Sequence, residues 1–589
     1  MESDRQALLG FSRRTVLGGA LAAGMSTVFG VSPVHATPVS HPRSRVAILG
    51  GGVAGLTAAH ELIERGFEVT VYERRALGGK ARSMAVPGTG MPGRAPLPGE
   101  HGFRFFPGFY RNVTDTMRRI GFPGNLNGVW DNLVDARQVK LSRQGAPDIT
   151  VPGLRDLATI TPDDLRESLA AAAREAADLP ASESSYWAGR MLVYLTSSDA
   201  RRLGQWEETP WTSFIGADTR SPEYRTVLSR LPTRSLVAAR ADLASTRTIG
   251  SISEAFFNLA LGNGKDGEAD RVLNGPTSET WIDPWVRQLT DLGVRFEVPA
   301  TATGFDVRGG RIAVVTVADR TGYETPIEAD HFICALPVEK ARRLWTPEIL
   351  SLDPGLAAMD NLFVDWMNGI QFYLRHPARL CEGHIAFVDS PWALTGLSQN
   401  QFWARSLGDH YGDGEVQDCL SVDISDWETP GMLYDKPAKQ CNPEEIAREV
   451  WAQIGAHVND TRVLLPDDDL HSWFIDPGIA WHPGPGLNTD DDPLLINTAG
   501  SWQDRPNSQT AIANLFLAGD YVRTNVDLAT MEGANESARA AVNSLLDATG
   551  SNAERCDIHP LYQAPELEPL RGIDEQRYRD GLPNMFDIG

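Results

Sequence analysis

The sequence predicts an α/β protein in which a parallel sheet is flanked by helices. Residues 45–73 have the pattern of a strand, a glycine-rich turn, a helix and a second strand. Residues 161–180 and 187–211 have the pattern of further helices. Strands that alternate with helices in this way are typical of an α/β fold.

Length and charge limit the classes of function. A chain of 589 residues is too long for one simple core, so two or more intertwined domains are expected. The formal net charge of −23 argues against nucleic acid as a partner, because nucleic-acid phosphates attract lysine and arginine. It also argues against general attraction to anionic lipid, but it leaves room for an apolar entrance and transient membrane contact.

The first 36 residues resemble a twin-arginine signal peptide. Arg13 and Arg14 precede an uncharged run rich in glycine and alanine, and Val34-His35-Ala36 has the pattern of a cleavage site. The alternative is an uncleaved amphipathic helix. The pattern predicts export to the periplasm or the exterior by the twin-arginine translocation machinery. After Ala36 no uninterrupted apolar run approaches the length needed to span a bilayer.

The segment 45–73 is predicted to bind a dinucleotide in a Rossmann-type unit. Gly50 permits a tight turn, Gly52 lets a pyrophosphate approach the backbone, and Gly55 lets the helix pack against the strand. The helix that begins at Val53 and Ala54 directs its free amides at the phosphates. Glu73 ends the second strand, where its carboxylate would accept hydrogen bonds from a ribose and repel the 2′-phosphate of NADP.

A second glycine pair distinguishes FAD from NAD. Gly78 and Gly79 are followed by Lys80 and Arg82, which would give a longer dinucleotide further backbone donors and cations. The alternative is an ordinary glycine turn with solvated basic residues.

Two motifs resemble the flavin-dependent amine oxidase superfamily. The segment "GGKARS" followed by "EHGFRFFPGFYRN" (100–112) is most similar to the plant and cyanobacterial phytoene and zeta-carotene desaturases and to hydroxysqualene dehydroxylase-like proteins. The segment 514–546 resembles the closing motif of the superfamily, with Gly519-Asp520 followed by Met531-Glu532-Gly533-Ala534. The positions that match the first motif are Glu100, Gly102, Phe106, Gly108, Tyr110 and Asn112.

The resemblance implies non-covalent FAD, and it adds Gly102, Phe103, Gly519, Asp520 and Met531 to the expected cofactor-binding residues. Asp520 follows a predicted strand and would bind the ribityl–phosphate region. The helix that starts near Met531 would point its amides at the N1–C2=O edge of the flavin. No cysteine lies near this motif to attach the flavin covalently.

Three departures from the family pattern affect the interpretation. The spacing from Glu73 to Gly78 is one residue short, which leaves open whether Arg74 or Arg75 contacts FAD. Arg104 stands where many of these desaturases have histidine; it is the candidate catalytic residue, with a structural salt bridge as the equal alternative. Thr530 stands where amine oxidases place an aromatic wall of the amine cage, which disfavours amine oxidation.

The motifs divide the chain into interleaved parts. The FAD-binding domain is expected at 44–135, 273–345 and 506–550, and a tail at 551–589. A mostly helical substrate or lid domain is expected at 136–272 and an α+β substrate domain at 346–505. Trp206, Trp211, Trp281 and Trp285 are predicted to be core residues, with an apolar tunnel as the alternative.

No metal site is predicted. The histidines lack ligand spacing, and the acidic segment 488–493 lacks the pattern of a calcium loop, so a solvated turn is expected there. Five scattered cysteines do not form a disulfide framework, although one bridge is allowed in an exported protein.

Three functions follow. The first is a flavin desaturase or dehydrogenase that moves a hydride from an apolar, isoprenoid or carotenoid-like substrate to flavin N5, with oxygen or a quinone as the final electron acceptor. The second is an exported amine or amino-acid oxidase that produces hydrogen peroxide. The third is a flavoprotein with a structural or electron-relay role.

Overall fold

The computed structural model describes residues 44–152, 166–235 and 239–587, apart from 168, 172, 175–178, 485 and 487. The predicted signal peptide and most of the helix predicted at 161–180 lie outside the described residues. From Ser44 onward the chain forms one compact unit.

The described residues form both strands and helices. The strands are β1 Arg45–Leu49, β2 Glu68–Tyr72, β3 Ser83–Ala85, β4 Pro98–Glu100, β5 Leu133–Asp135, β6 Gln138–Ser142, β7 Ile149–Pro152, β8 Arg271–Leu273, β9 Arg295–Glu297, β10 Thr301–Arg308, β11 Arg311–Ala318, β12 Glu324–Ile327, β13 His331–Cys334, β14 Val364–Asp365, β15 Asn368–Leu374, β16 Gly383–Phe387, β17 Thr395–Ser398, β18 Asp418–Ile424, β19 Leu470–Ile475, β20 Ile479–Ala480, β21 Thr489–Asp490, β22 Leu494–Leu495 and β23 Leu515–Leu517. The longer helices are α1 Val53–Glu64, α2 Asn112–Arg118, α3 Ala181–Leu195, α4 Thr246–Ala260, α5 Asp283–Asp291, α6 Pro443–Val458, α7 Met531–Thr549 and α8 Glu568–Arg579, and π-helical segments span Arg202–Trp206, Arg225–Ser235 and Ser278–Ile282.

A five-stranded parallel sheet forms the centre of the predicted dinucleotide unit. Its strand order is β23-β13-β1-β2-β9. The central strand β1 directs Val46 and Ile48 into one hydrophobic core and Ala47 and Leu49 into the other. Helices α1 and α7 cover the first face, and the antiparallel sheet β10-β11-β12 lies on the second. Burial on both faces explains the uninterrupted apolar run of β1, and the α/β fold prediction is confirmed.

The central sheet gathers strands that are far apart in the sequence. β1 pairs with β13, some 280 residues later, and β13 pairs with β23 near the C-terminus. β9 forms the other edge beside β2. The division of the chain into interleaved domains stays a prediction.

A seven-stranded mixed sheet lies beside the parallel one, in the order β19-β15-β18-β17-β16-β6-β7. One face packs against α6, with Leu420, Val422 and Ile424 in that core. The first strands of the segment predicted as mostly helical, β6 and β7, join this sheet. β6 has five residues with Lys140 in the middle, so no local pattern marks it; its pairing with β16 stabilises it.

A helical layer surrounds α3 and α4, and the C-terminal tail packs against it. Arg201 forms an ion pair with Asp574 of α8 at 2.9 Å, and both side chains are buried. Glu254 of α4 pairs with Arg202 at 2.7 Å and with Arg571 at 3.0 Å. These buried contacts hold α8 in place.

The four tryptophans of the tunnel alternative are core residues. All four are buried, and Trp281 and Trp285 stack with ring centroids 6.0 Å apart. The prediction of a core position is therefore confirmed.

Within the ranges that the structure describes, no helix is both long and apolar enough to cross a bilayer.

Candidate functional site

The first glycine turn is shaped by close backbone approaches. Gly50 has a φ of +104°, and a Cβ there would lie 2.6 Å from the carbonyl oxygen of Ala335 on the neighbouring strand. A Cβ at Gly55 would lie 1.9 Å from the carbonyl oxygen of Gly50. Only glycine fits either position, so the turn that leads from β1 into α1 depends on both.

The N-terminus of α1 is open to a phosphate. Gly52 precedes the helix with no side-chain cap, and the first turn has no acidic residue. A Cβ on Gly52 would meet only the Cα atom of Gly79, at 3.8 Å. This space in front of the first helical amides fits an anion, because those amides have no partner inside the helix.

The second glycine pair lies directly on the first turn. The Gly78 amide donates to the Gly51 carbonyl oxygen at 2.8 Å, and Gly78 has a φ of +95°. A Cβ on Gly79 would lie 3.0 Å from the Cα atom of Gly52. The two glycine motifs thus form one backbone surface, as a long dinucleotide requires.

Glu73 closes this surface. Its Oε2 accepts a hydrogen bond from the Gly51 amide and its Oε1 from the Arg75 amide, each at 2.8 Å. Each carboxylate oxygen has a second lone pair, so Glu73 remains able to accept from a ribose hydroxyl.

These elements border a cavity of about 540 Å³. Gly55 does not line it, since its role is the close packing described above. All the other predicted site residues do: Gly50, Gly52, Val53, Ala54, Glu73, Arg74, Arg75, Gly78, Gly79, Lys80, Arg82, Gly102, Phe103, Arg104, Gly519, Asp520 and Met531.

The acidic segment at 490–493 pairs with the basic residues of the cavity. Arg74 contacts Asp491 at 2.5 Å and Asp492 at 2.9 Å, and Arg75 also pairs with both acids. Lys340 contacts Asp491 at 2.5 Å. The prediction of a solvated turn was wrong, because these cations are far away in the sequence. Both arginines line the cavity, so the choice between them stays open.

The two family motifs meet at Glu532. This buried carboxylate accepts from the backbone amides of Arg111, Asn112 and Val113 at 2.8–2.9 Å, and from the Asn112 side chain at 2.8 Å. It therefore caps the N-terminus of α2 from the first turn of α7. Burial raises the pKa of Glu532, and the hydrogen bonds oppose that shift.

Thr530 has a structural role at the start of α7. Its Oγ1 accepts a hydrogen bond from the Gly533 amide at 3.0 Å, which makes it the helix cap. The aromatic residue that amine oxidases place at this position could not supply such a cap.

One wall of the cavity is aromatic. Phe105 stacks on Phe256 with ring centroids 6.2 Å apart, and Phe109 meets Phe256 edge-on at 5.1 Å. Phe103 and Ile252 extend the same lining. These side chains offer no hydrogen bonds to the polar dinucleotide, and they suit contact with an apolar molecule.

Arg104 lies on the cavity lining between these two environments. Its guanidinium donates to the carbonyl oxygens of Lys80 at 2.7 Å and Ala81 at 3.3 Å. No carboxylate among the described residues lies within 4.0 Å of it, so the salt-bridge alternative has no partner in this part of the chain. These backbone contacts fix the position of the guanidinium, and its charge can interact with a molecule in the cavity.

Asp423 and His101 are among the ionisable residues of the lining that sequence reasoning missed. Asp423 lies in β18, and burial raises its pKa to about 6 although Arg104 and His101 lower it. His101 pairs with Asp476. The available signal for Asp423 was an acidic residue inside the apolar run "CLSVDI". Its position in the cavity depends on the pairing of β18 with β15 and β17.

The remaining predictions concern sulfur and metal. All five cysteines are free thiols in the structure, and none lines the cavity. Asp413, Glu415 and His471 approach one another at the surface within 4.8 Å. Surface acids of this kind are common without an ion, and the three residues lie in loops and on β19, away from the cavity lining.

Comparison with known proteins identifies sequence relatives. The sequence profile described as flavin containing amine oxidoreductase matches residues 53–546. The zeta-carotene desaturase of Synechocystis is 41% identical over 535 residues, which cover 85% of this chain and 97% of that protein. The 15-cis-phytoene desaturase of Synechococcus elongatus is 22% identical over 526 residues, 88% of this chain and 99% of the relative.

Other matches are partial or structural. The match to the zeta-carotene desaturase of Arabidopsis thaliana covers 121 residues, only 20% of that protein. Among solved structures, cyclohexylamine oxidase from Brevibacterium oxydans superposes with a TM-score of 0.54 over 86% of this chain and 100% of the other, at 14% identity. At that identity the likeness shows the fold.

Proposed function

The chain belongs to the flavin-containing amine oxidoreductase family and is an FAD-dependent oxidoreductase, and on this premise we propose that it desaturates an isoprenoid hydrocarbon of the carotene type. When bound, FAD would be the two-electron oxidant, with N5 as the hydride acceptor. The protein binds the cofactor, orients one C–H bond of the substrate and excludes water.

The residues present fit FAD. The open space at Gly52, the uncapped first turn of α1 and the adjoining Gly78-Gly79 turn form a cradle for a pyrophosphate. Glu73 has free lone pairs for a ribose. Near the other motif, Gly519, Asp520 and Met531 line the same cavity. None of the five cysteines lines it, which supports non-covalent binding.

The aromatic wall is the single observation on which the substrate proposal depends most. Phe103, Phe105, Phe109 and Phe256 border the cavity that also holds the glycine turns. The transfer of an apolar hydrocarbon from water to such a surface is favourable by about 25 cal/mol per Å² of apolar area buried. An amine would need an aromatic cage, and its expected position is held by the helix cap Thr530.

The experiment that tests this function is product analysis. Purified FAD-loaded protein is incubated with phytoene or zeta-carotene in detergent micelles and a quinone acceptor. We expect a product two hydrogens lighter with an extended chromophore, and no product from heat-denatured protein. Parallel incubations with primary amines and amino acids are assayed for hydrogen peroxide. Peroxide with amines and unchanged carotenes would contradict the proposal and favour the oxidase.

Export is a second part of the proposal. The Arg13-Arg14 pair and the cleavage pattern that ends at Ala36 support transport of the folded, FAD-loaded protein by the twin-arginine machinery. An apolar substrate also favours transient membrane contact, and oxygen or a quinone is the proposed final electron acceptor.

We expect the double change Arg13→Lys and Arg14→Lys to retain the protein inside the cell, because the translocation machinery reads the arginine pair as an address. Cell fractionation and immunoblotting measure this, with Arg5→Lys as the matched control that keeps the pair intact. Normal export of the double variant would contradict the signal assignment.

A further inference from the structure

Desaturation of a hydrocarbon requires a proton acceptor. When –CH2–CH2– becomes –CH=CH–, a hydride with its electron pair leaves one carbon for the FAD oxidant and a proton leaves the neighbouring carbon. The proton needs a base near the reacting carbons. The need for this base rests on the proposed function, and a residue of this chain on the cavity lining can supply it.

Asp423 lies where the seven-stranded sheet borders the cavity. It occupies the sixth position of β18, opposite Gly369 of β15 and Thr395 of β17. Its neighbours Val422 and Ile424 point into the core beneath the sheet, so alternation places Asp423 on the opposite face. Asp423 and Thr395 both line the cavity, as do Arg104 and Phe103.

The Asp423 carboxylate is tightly packed but not saturated. A Cβ on Gly102 would lie 2.4 Å from Asp423 Oδ1, and one on Gly369 would lie 3.0 Å from the same atom. The two glycines therefore leave room for this side chain and fix its position. Oδ1 is nonetheless buried, and no group in the described part of the chain donates a hydrogen bond to it. A buried polar atom left unpaired is uncommon in native proteins and calls for an explanation.

The nearest buried acid on the same strand shows the contrast. Asp418 accepts hydrogen bonds from the Ala378 amide at 2.8 Å, the Ser398 hydroxyl at 2.6 Å and the Asn400 amide at 3.1 Å. It does not line the cavity. Asp418 is a structural carboxylate, whereas Asp423 lines the cavity and has one oxygen, Oδ1, to which no described group donates a hydrogen bond.

The other carboxylates of the lining have other partners or other expected roles. Glu73 is bound by the Gly51 and Arg75 amides at the glycine turns. Asp492 is paired with Arg74 and Arg75. Asp520 belongs to the motif that is expected to bind the cofactor. Among the described lining residues, Asp423 is the carboxylate that lies on the seven-stranded sheet.

We propose that Asp423 is the catalytic base that accepts the proton from the substrate carbon next to the one that loses the hydride. The carboxylate becomes a carboxylic acid in this step and returns the proton to solvent before the next turnover. Arg104 acts as a positioning residue whose charge favours the ionised form.

The surrounding charges allow this role near neutral pH. The charged and titratable groups that face Asp423 are Arg104 and His101 on the 101–111 loop and His384 on β16. Each imidazole contacts a different carboxylate: His101 pairs with Asp476, and His384 contacts Asp270 at 3.0 Å. Burial raises the pKa of Asp423 to about 6, and Arg104 and the two histidines oppose the shift. The base is therefore ionised above pH 6 and able to regain a proton.

The test compares Asp423→Asn with wild type as FAD-loaded proteins. Anaerobic flavin reduction by zeta-carotene in micelles is followed from pH 5 to 9. We expect the wild-type rate to fall below about pH 6, as the base becomes protonated, and the variant to be about 10²–10⁴-fold slower without that transition. Asp418→Asn is the matched control; it lowers the thermal midpoint while the rate and its pH profile stay unchanged.

A substrate-free readout accompanies the kinetics. Infrared spectra recorded across the same pH range, wild type minus Asp423→Asn, are expected to contain a carboxyl band that titrates near pH 6. The FAD content and thermal midpoint of the variant establish that it is folded.

A variant with the wild-type rate and pH profile, or the absence of the titrating band, would overturn the role of Asp423. Failure of the proposed function is seen separately, in a wild-type flavin that zeta-carotene does not reduce. In that case the band alone decides whether Asp423 titrates in the cavity.

Discussion

Replacement of Gly52 by valine is expected to give a folded, colourless protein that no longer binds FAD. The Gly52 backbone has a φ of −76°, which valine adopts without strain, and a Cβ there meets only the Cα atom of Gly79 at 3.8 Å. The valine methyls would fill the space in front of the first amides of α1. We expect FAD affinity to fall at least about 100-fold, or ~2.7 kcal/mol.

Affinity is measured by fluorescence titration of the apoprotein with FAD, and folding by the thermal midpoint without FAD. The matched variant is Gly55→Ala, whose Cβ would lie 1.9 Å from the Gly50 carbonyl oxygen. It is expected to lower the thermal midpoint of the apoprotein, whereas Gly52→Val leaves that midpoint near the wild-type value. Wild-type FAD affinity in Gly52→Val would contradict the placement of the pyrophosphate at this turn.

Replacement of Glu532 by alanine is expected to cause a large loss of stability. The change removes the acceptor of four hydrogen bonds and leaves three backbone amides at the start of α2 without their partner. We expect the free energy of unfolding to fall by about 3 kcal/mol or more, since each buried donor left unpaired costs about 1–3 kcal/mol. Urea unfolding of the apoprotein measures the loss.

Asp547→Ala is the control on the same helix. Asp547 is exposed, and its ion-pair partner among the described residues is Arg555, so its removal is expected to cost less than about 1 kcal/mol. Equal losses for the two variants would show that Glu532 does not join α7 to α2.

The parts of the site that local sequence determines were predictable. Close backbone contacts require glycine at positions 50 and 55, and Gly52 leaves the space in front of α1 open. All three lie within residues 45–55, so their spacing is a local signal in the sequence. The pair Gly78-Gly79 was also predictable from local sequence. It follows β2 and packs on the first glycine turn. The C-terminal motif was identified by resemblance, and its strand and helix lie where predicted.

The parts that depend on distant pairing were not predictable. Asp423 reaches the cavity because β18 pairs with β15 and β17, and a single acid in an apolar strand does not reveal its neighbours. The acidic segment at 490–493 was expected to be solvated, because the partners Arg74, Arg75 and Lys340 are 150 or more residues away. The strand β6 lies in a segment that was predicted to be mostly helical, because β6 is stabilised by its pairing with the distant strand β16.

The measurement that tests the central claim most directly is anaerobic reduction of the bound flavin. The yellow protein is mixed in separate cuvettes with zeta-carotene, phytoene, an alkylamine and an amino acid, and the flavin absorption band is followed with no acceptor present. We predict bleaching by the hydrocarbons alone. Bleaching by the amine or the amino acid, reversed by air with release of peroxide, would contradict the desaturase account and establish the oxidase.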